Sequence, residues 1–248
     1  MKKSAWIQIL AILLCLGMSG SFAATSQATS IGIVQGGWYT PNLKNDLIAQ
    51  GATVTEITSY NAASLAPFDA VIQYGNDYVD MLALEAYVIA GGTLIETPWF
   101  WINNSPTAAL DIFSHGGGTQ YHGFFPGVTV LDSGNPLLTG VSFPGAGATD
   151  LGRTTGNTFA AGVTQVANWA DGTAFIGEKN LGAGNIIGIN MHVITSDCAY
   201  GIIDEPWATQ LFMNAAGAAA PVPEPSTMML LGVGFIGLAA YGRRRKNT

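Results

Sequence analysis

Residues 31–35 (IGIVQ), 53–57 (TVTEI), 70–74 (AVIQY) and 93–96 (TLIE) are four short runs rich in β-branched side chains, and what lies between them decides the fold. After the first run and its Gly36-Gly37 turn, Thr40 stands as a cap ahead of Pro41. Leu43, Leu47 and Ile48 then recur on one face of a helix that Gly51 stops. Before the fourth run, Asp77 and Asp80 sit at capping-box spacing. Val79, Leu82, Ala83, Ala86 and Ile89 follow at helical intervals as far as Gly91-Gly92. A strand, a helix and another strand, repeated within residues 31–96, is the pattern of crossover units. It predicts an α/β fold, flavodoxin-like and doubly wound, with a mostly parallel sheet and helices on both faces.

Beyond residue 96 the pattern loosens. Val128–Leu131, Gln165–Ala167, Ala174–Ile176 and Ile186–Met191 read as further strands between glycine-rich turns, and Trp207–Ala215 as a closing helix. Residues 103–127 carry weak periodicity and the triplet Gly116-Gly117-Gly118, which reads as a short helix followed by a loop on the active face.

The 248 residues are 48% hydrophobic and only 10% charged, the reverse of a disordered composition. Both ends differ from the body. Lys2 and Lys3, the apolar run Ile7–Leu16 and the small-x-small site Ser21-Phe22-Ala23 make residues 1–23 a secretory signal peptide, directed to the Sec translocon and signal peptidase. Cys15 follows Leu13 and Leu14, which is not a lipoprotein site. At the other end a Pro-rich linker spans 217–227, a short hydrophobic helix 228–242 and a basic tail 243–248. The apolar stretch can enter a bilayer, and Arg243, Arg244, Arg245 and Lys246 stay with the cytoplasmic leaflet. Even from Ser226 to Gly242 it has 17 residues and is interrupted by Gly232, Gly234 and Gly237, short of the roughly 20 that a stable span needs. A transient inner-membrane anchor is expected.

The order Val222-Pro223-Glu224-Pro225, apolar helix, Arg243-Arg244-Arg245 resembles the PEP-CTERM sorting signal of exopolysaccharide-forming Gram-negative bacteria. That resemblance implies an exosortase as partner, cleavage near the Pro-Glu-Pro motif, and delivery to the cell surface or the extracellular matrix.

Without these ends the body, residues 25–216, keeps Lys44, Arg153 and Lys179 against 15 acidic residues, a formal charge of −12. Such a surface repels nucleic acid and anionic polysaccharide while tolerating neutral sugars or cations. Cys198 is its one cysteine, so no internal disulfide can form.

The element order, Gly91-Gly92-Thr93-Leu94-Ile95, the segment Asn135–Val141, a strand ending at Met191-His192 and a closing helix with Asn214-Ala215 together resemble the class I glutamine-amidotransferase-like superfamily, in its trehalose-utilisation-type branch. That family's cysteine sits on a sharp turn after a strand, activated by a histidine after a later one. His192 stands where such a histidine would be. The matching turns read Tyr74-Gly75-Asn76-Asp77 and Glu96-Thr97-Pro98-Trp99 and hold no cysteine, and no G-x-S-x-G elbow replaces it. Cys198 follows His192 by six residues on the same connection.

In an open parallel sheet, ligands bind beyond the carboxyl ends of the strands. Those ends offer Gln35, Trp38 and Tyr39, then Asn76 and Asp77, then Glu96, Trp99, Phe100 and Trp101, and finally Met191 and His192. Aromatic faces stack on sugar rings while amides and carboxylates bond hydroxyls. Gln35, Trp38, Asn76, Trp99 and Trp101 therefore suit a neutral polysaccharide, or else the tryptophans simply pad the sheet edge. Asp77, Glu96 and His192 are the acid-base candidates if the body is a glycan-processing enzyme. His115 and His122 flank the triple glycine and are weak metal ligands, with Asp111, Glu96 or His192 as partners. Asp197, Asp204 and Glu205 lack EF-hand spacing for calcium. Gly36-Gly37 lacks the G-x-G-x-x-G spacing and a following lysine, so it reads as a tight turn. No cofactor motif is present. The expectation is an exported body that binds or organises an envelope partner, with an enzyme or a purely structural matrix component as alternatives.

Overall fold

A computed structural model describes residues 29–34, 41–58, 60–73, 79–114, 118–120, 123–147, 152–192 and 206–217. The expected signal peptide, linker, hydrophobic helix and basic tail lie outside the described residues. So do Thr40, Cys198 and the three acids at 197, 204 and 205.

The first half runs β1 (Ser30–Val34), α1 (Pro41–Ala49), β2 (Thr53–Ile57), α2 (Ala62–Leu65), β3 (Ala70–Gln73), α3 (Met81–Ile89), β4 (Thr93–Glu96) and α4 (Pro98–Asn103). Short strands follow at β5 (Phe113–Ser114), β6 (Thr119–Gln120) and β7 (Val128–Val130), and a 3₁₀ turn at Pro136–Leu138. The second half contributes β8 (Arg153–Thr154), β9 (Thr158–Phe159), β10 (Thr164–Trp169), β11 (Ala174–Leu181), β12 (Gly184–Ile189) and α5 (Pro206–Gly217).

Eight strands form one sheet in the order β2-β1-β3-β4-β12-β11-β10-β7. β2, β1, β3, β4 and β12 pair in parallel, while β11, β10 and β7 extend the sheet antiparallel. The parallel part follows the doubly wound order 2-1-3-4-5 with β12 in fifth place, the topology the alternation of runs and caps predicts. β5 pairs with β9 and β6 with β8 in two small ribbons.

Alternation along the strands divides the core in two. Ile31, Ile33, Ile95, Ile187 and Ile189 face one layer with Leu43, Leu47 and the α5 residues Trp207, Leu211 and Phe212. Val34, Leu94 and Ile186 face the other with Leu84, Val88, Phe100 and Trp101. Both faces are buried, as βαβ crossovers require of a parallel sheet.

Local chemistry sets the helix ends. Asp80 caps α3, its Oδ1 accepting from Leu82 N at 3.0 Å and Ala83 N at 3.1 Å; Asp77 lies outside the described residues. The helix stops at Gly91, whose φ of +117° costs a residue without Cβ nothing. At Gly92 the ring of Tyr87 fills the volume a side chain would need. α2 was not expected from the sequence; Asn61 and Ser64 cap it reciprocally.

Residues 103–127 differ from expectation. The helix lies earlier, at 98–103, so Trp99, Phe100 and Trp101 sit on α4 and not on an open strand end. Pro98 at the first helical position and the closing bond from Asn104 N to Phe100 O, 3.1 Å, account for it. Where the sequence predicts a helix and a loop, the region contributes β5 and β6 to the two small ribbons.

Candidate functional site

At the carboxyl edge of the parallel strands, Gln73 closes β3, Glu96 closes β4, and Asn190, Met191 and His192 follow β12. The edge is tied together by backbone and hydroxyl contacts. Thr97 Oγ1 donates to Gln73 O at 3.0 Å, and His192 N donates to Gly152 O at 2.7 Å.

His192 is fully buried. Its imidazole lies against the indole of Trp99, ring centroids 4.8 Å apart. Burial penalises the imidazolium and pulls the pKa down to about 3, so the ring is neutral at physiological pH. Glu96 is also buried, and its Oε1 has no hydrogen-bond partner among the described residues. It pairs with Gly188 across β4 and β12, beside Ile112 and Phe113. Burial raises its pKa well above the usual carboxylate range. The Asp111 charge adds to that rise and the Lys179 charge opposes it. The two titrating side chains thus answer to different surroundings, one to its apolar cover and the other to Asp111 and Lys179.

The sequence reading missed a polar network beside them. Asn190, fully buried, accepts at Oδ1 from Thr154 N (2.9 Å) and Thr154 Oγ1 (2.7 Å), and donates from Nδ2 to Thr154 O (2.9 Å) and Ala174 O (2.8 Å). Asn157 Nδ2 donates to Thr154 Oγ1, and Trp169 Nε1 donates to Asn190 O at 3.2 Å. Arg153 forks onto Asp171, with Nη1 to Oδ1 at 3.1 Å and Nη2 to Oδ2 at 2.6 Å, over the Trp169 ring. That pairing holds the Asp171 carboxyl at a pKa of about 2. One signal was available: Arg153 is one of only three basic residues in the body. The other two are also engaged, Lys44 by Glu56 at 2.6 Å and Lys179 by the backbone oxygens of Asp111 and Ala108.

Of the expected site residues, the structure places Glu96 and His192 on neighbouring strand ends and Trp99 over His192. Trp101 is 7% exposed and packs on Phe113, centroids 4.7 Å apart, so its ring belongs to the interior. Gln35, Trp38, Tyr39, Asn76, Asp77, His115 and His122 lie outside the described residues. Among the described residues no three His, Cys, Asp or Glu side chains cluster as metal ligands, and no helix is long and apolar enough to cross a membrane.

Chemically, the described part of this edge combines buried aromatic, amide and hydroxyl groups with a cation already neutralised by its own carboxylate, so among the described residues it offers an anion no unengaged cation.

Residues 221–246 match the model of the PEP-CTERM protein-sorting motif, which implies export, surface sorting and processing by an exosortase. No curated protein matches the chain. Among solved structures it is similar to a putative ThuA-like protein from Parabacteroides merdae (11% identity, TM-score 0.55, 80% of this chain and 94% of that one). A second putative ThuA-like protein, from Bacteroides uniformis, is similar at 12% identity and TM-score 0.54, covering 83% of this chain and 97% of that one. A cold-adapted β-galactosidase from Rahnella sp. R3 shares the fold over 33% of its own length and 80% of this chain, at 18% identity and TM-score 0.51. The chain therefore carries a PEP-CTERM sorting motif behind an α/β body with the fold of ThuA-like proteins.

Proposed function

We propose that this protein is an exported component of the cell surface or extracellular matrix, held briefly at the inner membrane by residues 228–242 and then released by an exosortase. Its α/β body, residues 25–216, binds a neutral carbohydrate or another envelope partner without catalysing a reaction. The observation that carries this reading is the sealing of both described titrating groups at the strand ends. His192 lies under Trp99 and Glu96 is buried at the end of β4, each 1% exposed or less. A general acid or base must come within hydrogen-bond reach of its substrate, and neither group is presented that way. The sorting motif supports the destination, and the formal −12 charge of the body favours an uncharged ligand over an anionic one.

A glycan array, followed by titration of the purified protein with neutral polysaccharide, tests the binding. Saturable binding of a neutral glycan is expected. Absence of binding at millimolar ligand would remove carbohydrate from the reading and leave a structural matrix role.

One observation favours an enzyme instead: burial raises the Glu96 pKa well above the usual carboxylate range, the direction a general acid needs. In that reading Asp77, Glu96 and His192 act together on a glycan. Glu96→Gln would then abolish turnover of neutral glycosides, whereas the binding reading expects no turnover to abolish.

A further inference from the structure

On the α5 face of the sheet a cavity of about 600 Å³ opens between the last turns of α5, the 3₁₀ turn and strands β11 and β12. Asn185 stands at the amino end of β12, so the cavity lies toward the edge opposite His192. Leu137 and Met213 give it apolar walls, and Asn135, Glu178, Asn185 and Asn214 give it polar ones.

Two of the four polar groups are fully committed and act as a frame. Asn135 donates from Nδ2 to Glu178 Oε1 at 2.8 Å and accepts at Oδ1 from Leu137 N at 2.9 Å. Asn214 donates to Leu137 O at 2.9 Å and Thr139 O at 2.8 Å, and accepts from Gln210 Nε2 at 2.8 Å. The other two hold unused capacity. Glu178 Oε2 has no donor among the described residues, since the Asn135 amide takes only Oε1. Asn185 Oδ1 is recessed with no partner. A buried acceptor without a donor carries an uncompensated desolvation cost, so a chain that keeps one at a cavity wall gains when a donor arrives. The terminal torsion of an asparagine is soft, and a small turn brings the amide oxygen to the opening.

These groups select the visitor. Glu178 disfavours an anion, and a single carboxylate among neutral amides is a poor cage for a divalent cation. A purely apolar molecule would leave Glu178 and Asn185 as they are. Hydroxyl groups donate to a carboxylate and both donate to and accept from an amide, while the C–H face of a sugar ring covers Leu137 and Met213. The volume falls within the range of about 300–1,000 Å³ typical of small-molecule sites.

We infer that this cavity is a binding site for a neutral polyhydroxyl ligand of one or two sugar rings, with Glu178 and Asn185 as its hydrogen-bonding residues and Asn135 and Asn214 as their positioning residues. In ligand class the inference rests on the proposed function; in location it is separate, because it does not use the His192 edge.

The full-length chain in detergent micelles is titrated calorimetrically with glucose, galactose, mannose, N-acetylglucosamine, cellobiose and lactose. Asn185→Leu, Glu178→Gln, Met213→Trp and Trp99→Ala are titrated in parallel, with near-ultraviolet circular dichroism as a check of folding. The expected result is binding of at least one sugar, weakened about tenfold or more by Asn185→Leu and by Glu178→Gln. Met213→Trp, which fills the cavity without removing a polar group, is expected to weaken it as well, and decides the matter if Asn185→Leu does not fold. Sugar binding lost only in Trp99→Ala overturns this site and leaves the proposed function standing. No binding of any of these sugars at tens of millimolar overturns this site, while the glycan array and polysaccharide titration decide the proposed function separately; binding of calcium in place of sugar overturns the ligand class.

Discussion

The indole of Trp99 covers the imidazole of His192, with ring centroids 4.8 Å apart and planes tilted by 52°. Trp99 comes from the first turn of α4 and His192 from the segment after β12, so the contact joins the ends of two adjacent parallel strands. It also removes water from the imidazole.

That burial sets a pH dependence. In the unfolded chain His192 takes up a proton below its ordinary pKa near 6.5, while in the folded chain it waits until about 3. Between those values the unfolded state binds more protons, so this residue makes stability fall as pH drops, by up to about 1.4 kcal/mol per pH unit. His192→Phe keeps a ring under Trp99 and removes the titration. Urea unfolding at pH 7.5 and pH 5 should show a markedly smaller acid loss in the variant; equal losses would mean that His192 reaches solvent.

Glu96 works in the opposite sense. Its folded pKa is raised, so above the unfolded value of 4.5 the folded chain retains a proton that the unfolded chain has lost. Stability from this group therefore declines as pH rises through the folded value. Glu96→Gln, neutral at every pH, should be more stable than the parent at pH 8 and close to it near pH 4. Thermal unfolding at the two pH values measures the difference.

Arg153 is 6% exposed and depends on Asp171 for its charge partner. Asp171→Ala strands a buried guanidinium, while Arg153→Met removes the charge and keeps the stem against Trp169. The first is expected to cost about 1–2 kcal/mol, discounted because the Asp171 side chain is 42% exposed, and the second less. Because the Asp171 pKa is lowered to about 2, the contribution of the pair is complete above about pH 4 and fades as pH falls toward 2. Chemical denaturation of both variants at pH 7 and pH 3 tests the ranking and its narrowing in acid.

Asn190 joins the end of β12 to β8 through three hydrogen bonds with Thr154 and to β11 through a fourth, to Ala174 O, in a buried site. Asn190→Ala leaves Thr154 and Ala174 groups without partners and is expected to cost about 2–4 kcal/mol. Asn190→Asp replaces the donating amide with acceptors facing two carbonyl oxygens and should cost at least as much. Urea midpoints at constant slope measure both; a loss below about 0.5 kcal/mol for Asn190→Ala would show that water fills the gap.

The parallel half of the fold was legible because its signals are local. Gly91, Asp80 and the apolar runs around Ile33, Ile72 and Ile95 act within a few residues of themselves, and β1 to β4 follow from them. The antiparallel extension was legible as strands but not as partners, since the pairing of β10 with β7 depends on contacts about 37 residues apart, such as Ala167 with Val130. α4 was hidden by composition. Trp99, Phe100 and Trp101 look like a strand end, and only the Pro98 start and the burial of Phe100 make a helical turn of them. At the strand-end site, Glu96 and His192 could be picked by position, yet nothing in the linear order shows that both are buried or that Trp99 covers His192. The Asn190 network escaped for the same reason, because its value lies in partners 16 and 36 residues away.

α5 ends at Gly217 with Leu211, Phe212, Ala215 and Ala216 in the core, four positions before the matched sorting segment begins at 221. The apolar run at 228 lies eleven positions beyond Gly217, a reach of at most about 40 Å, so under the proposed anchoring the folded body stays within that distance of the lipid headgroups. Scission at or after the prolines would shed it with every described core residue in place, and the liberated protein should be as robust as its tethered precursor.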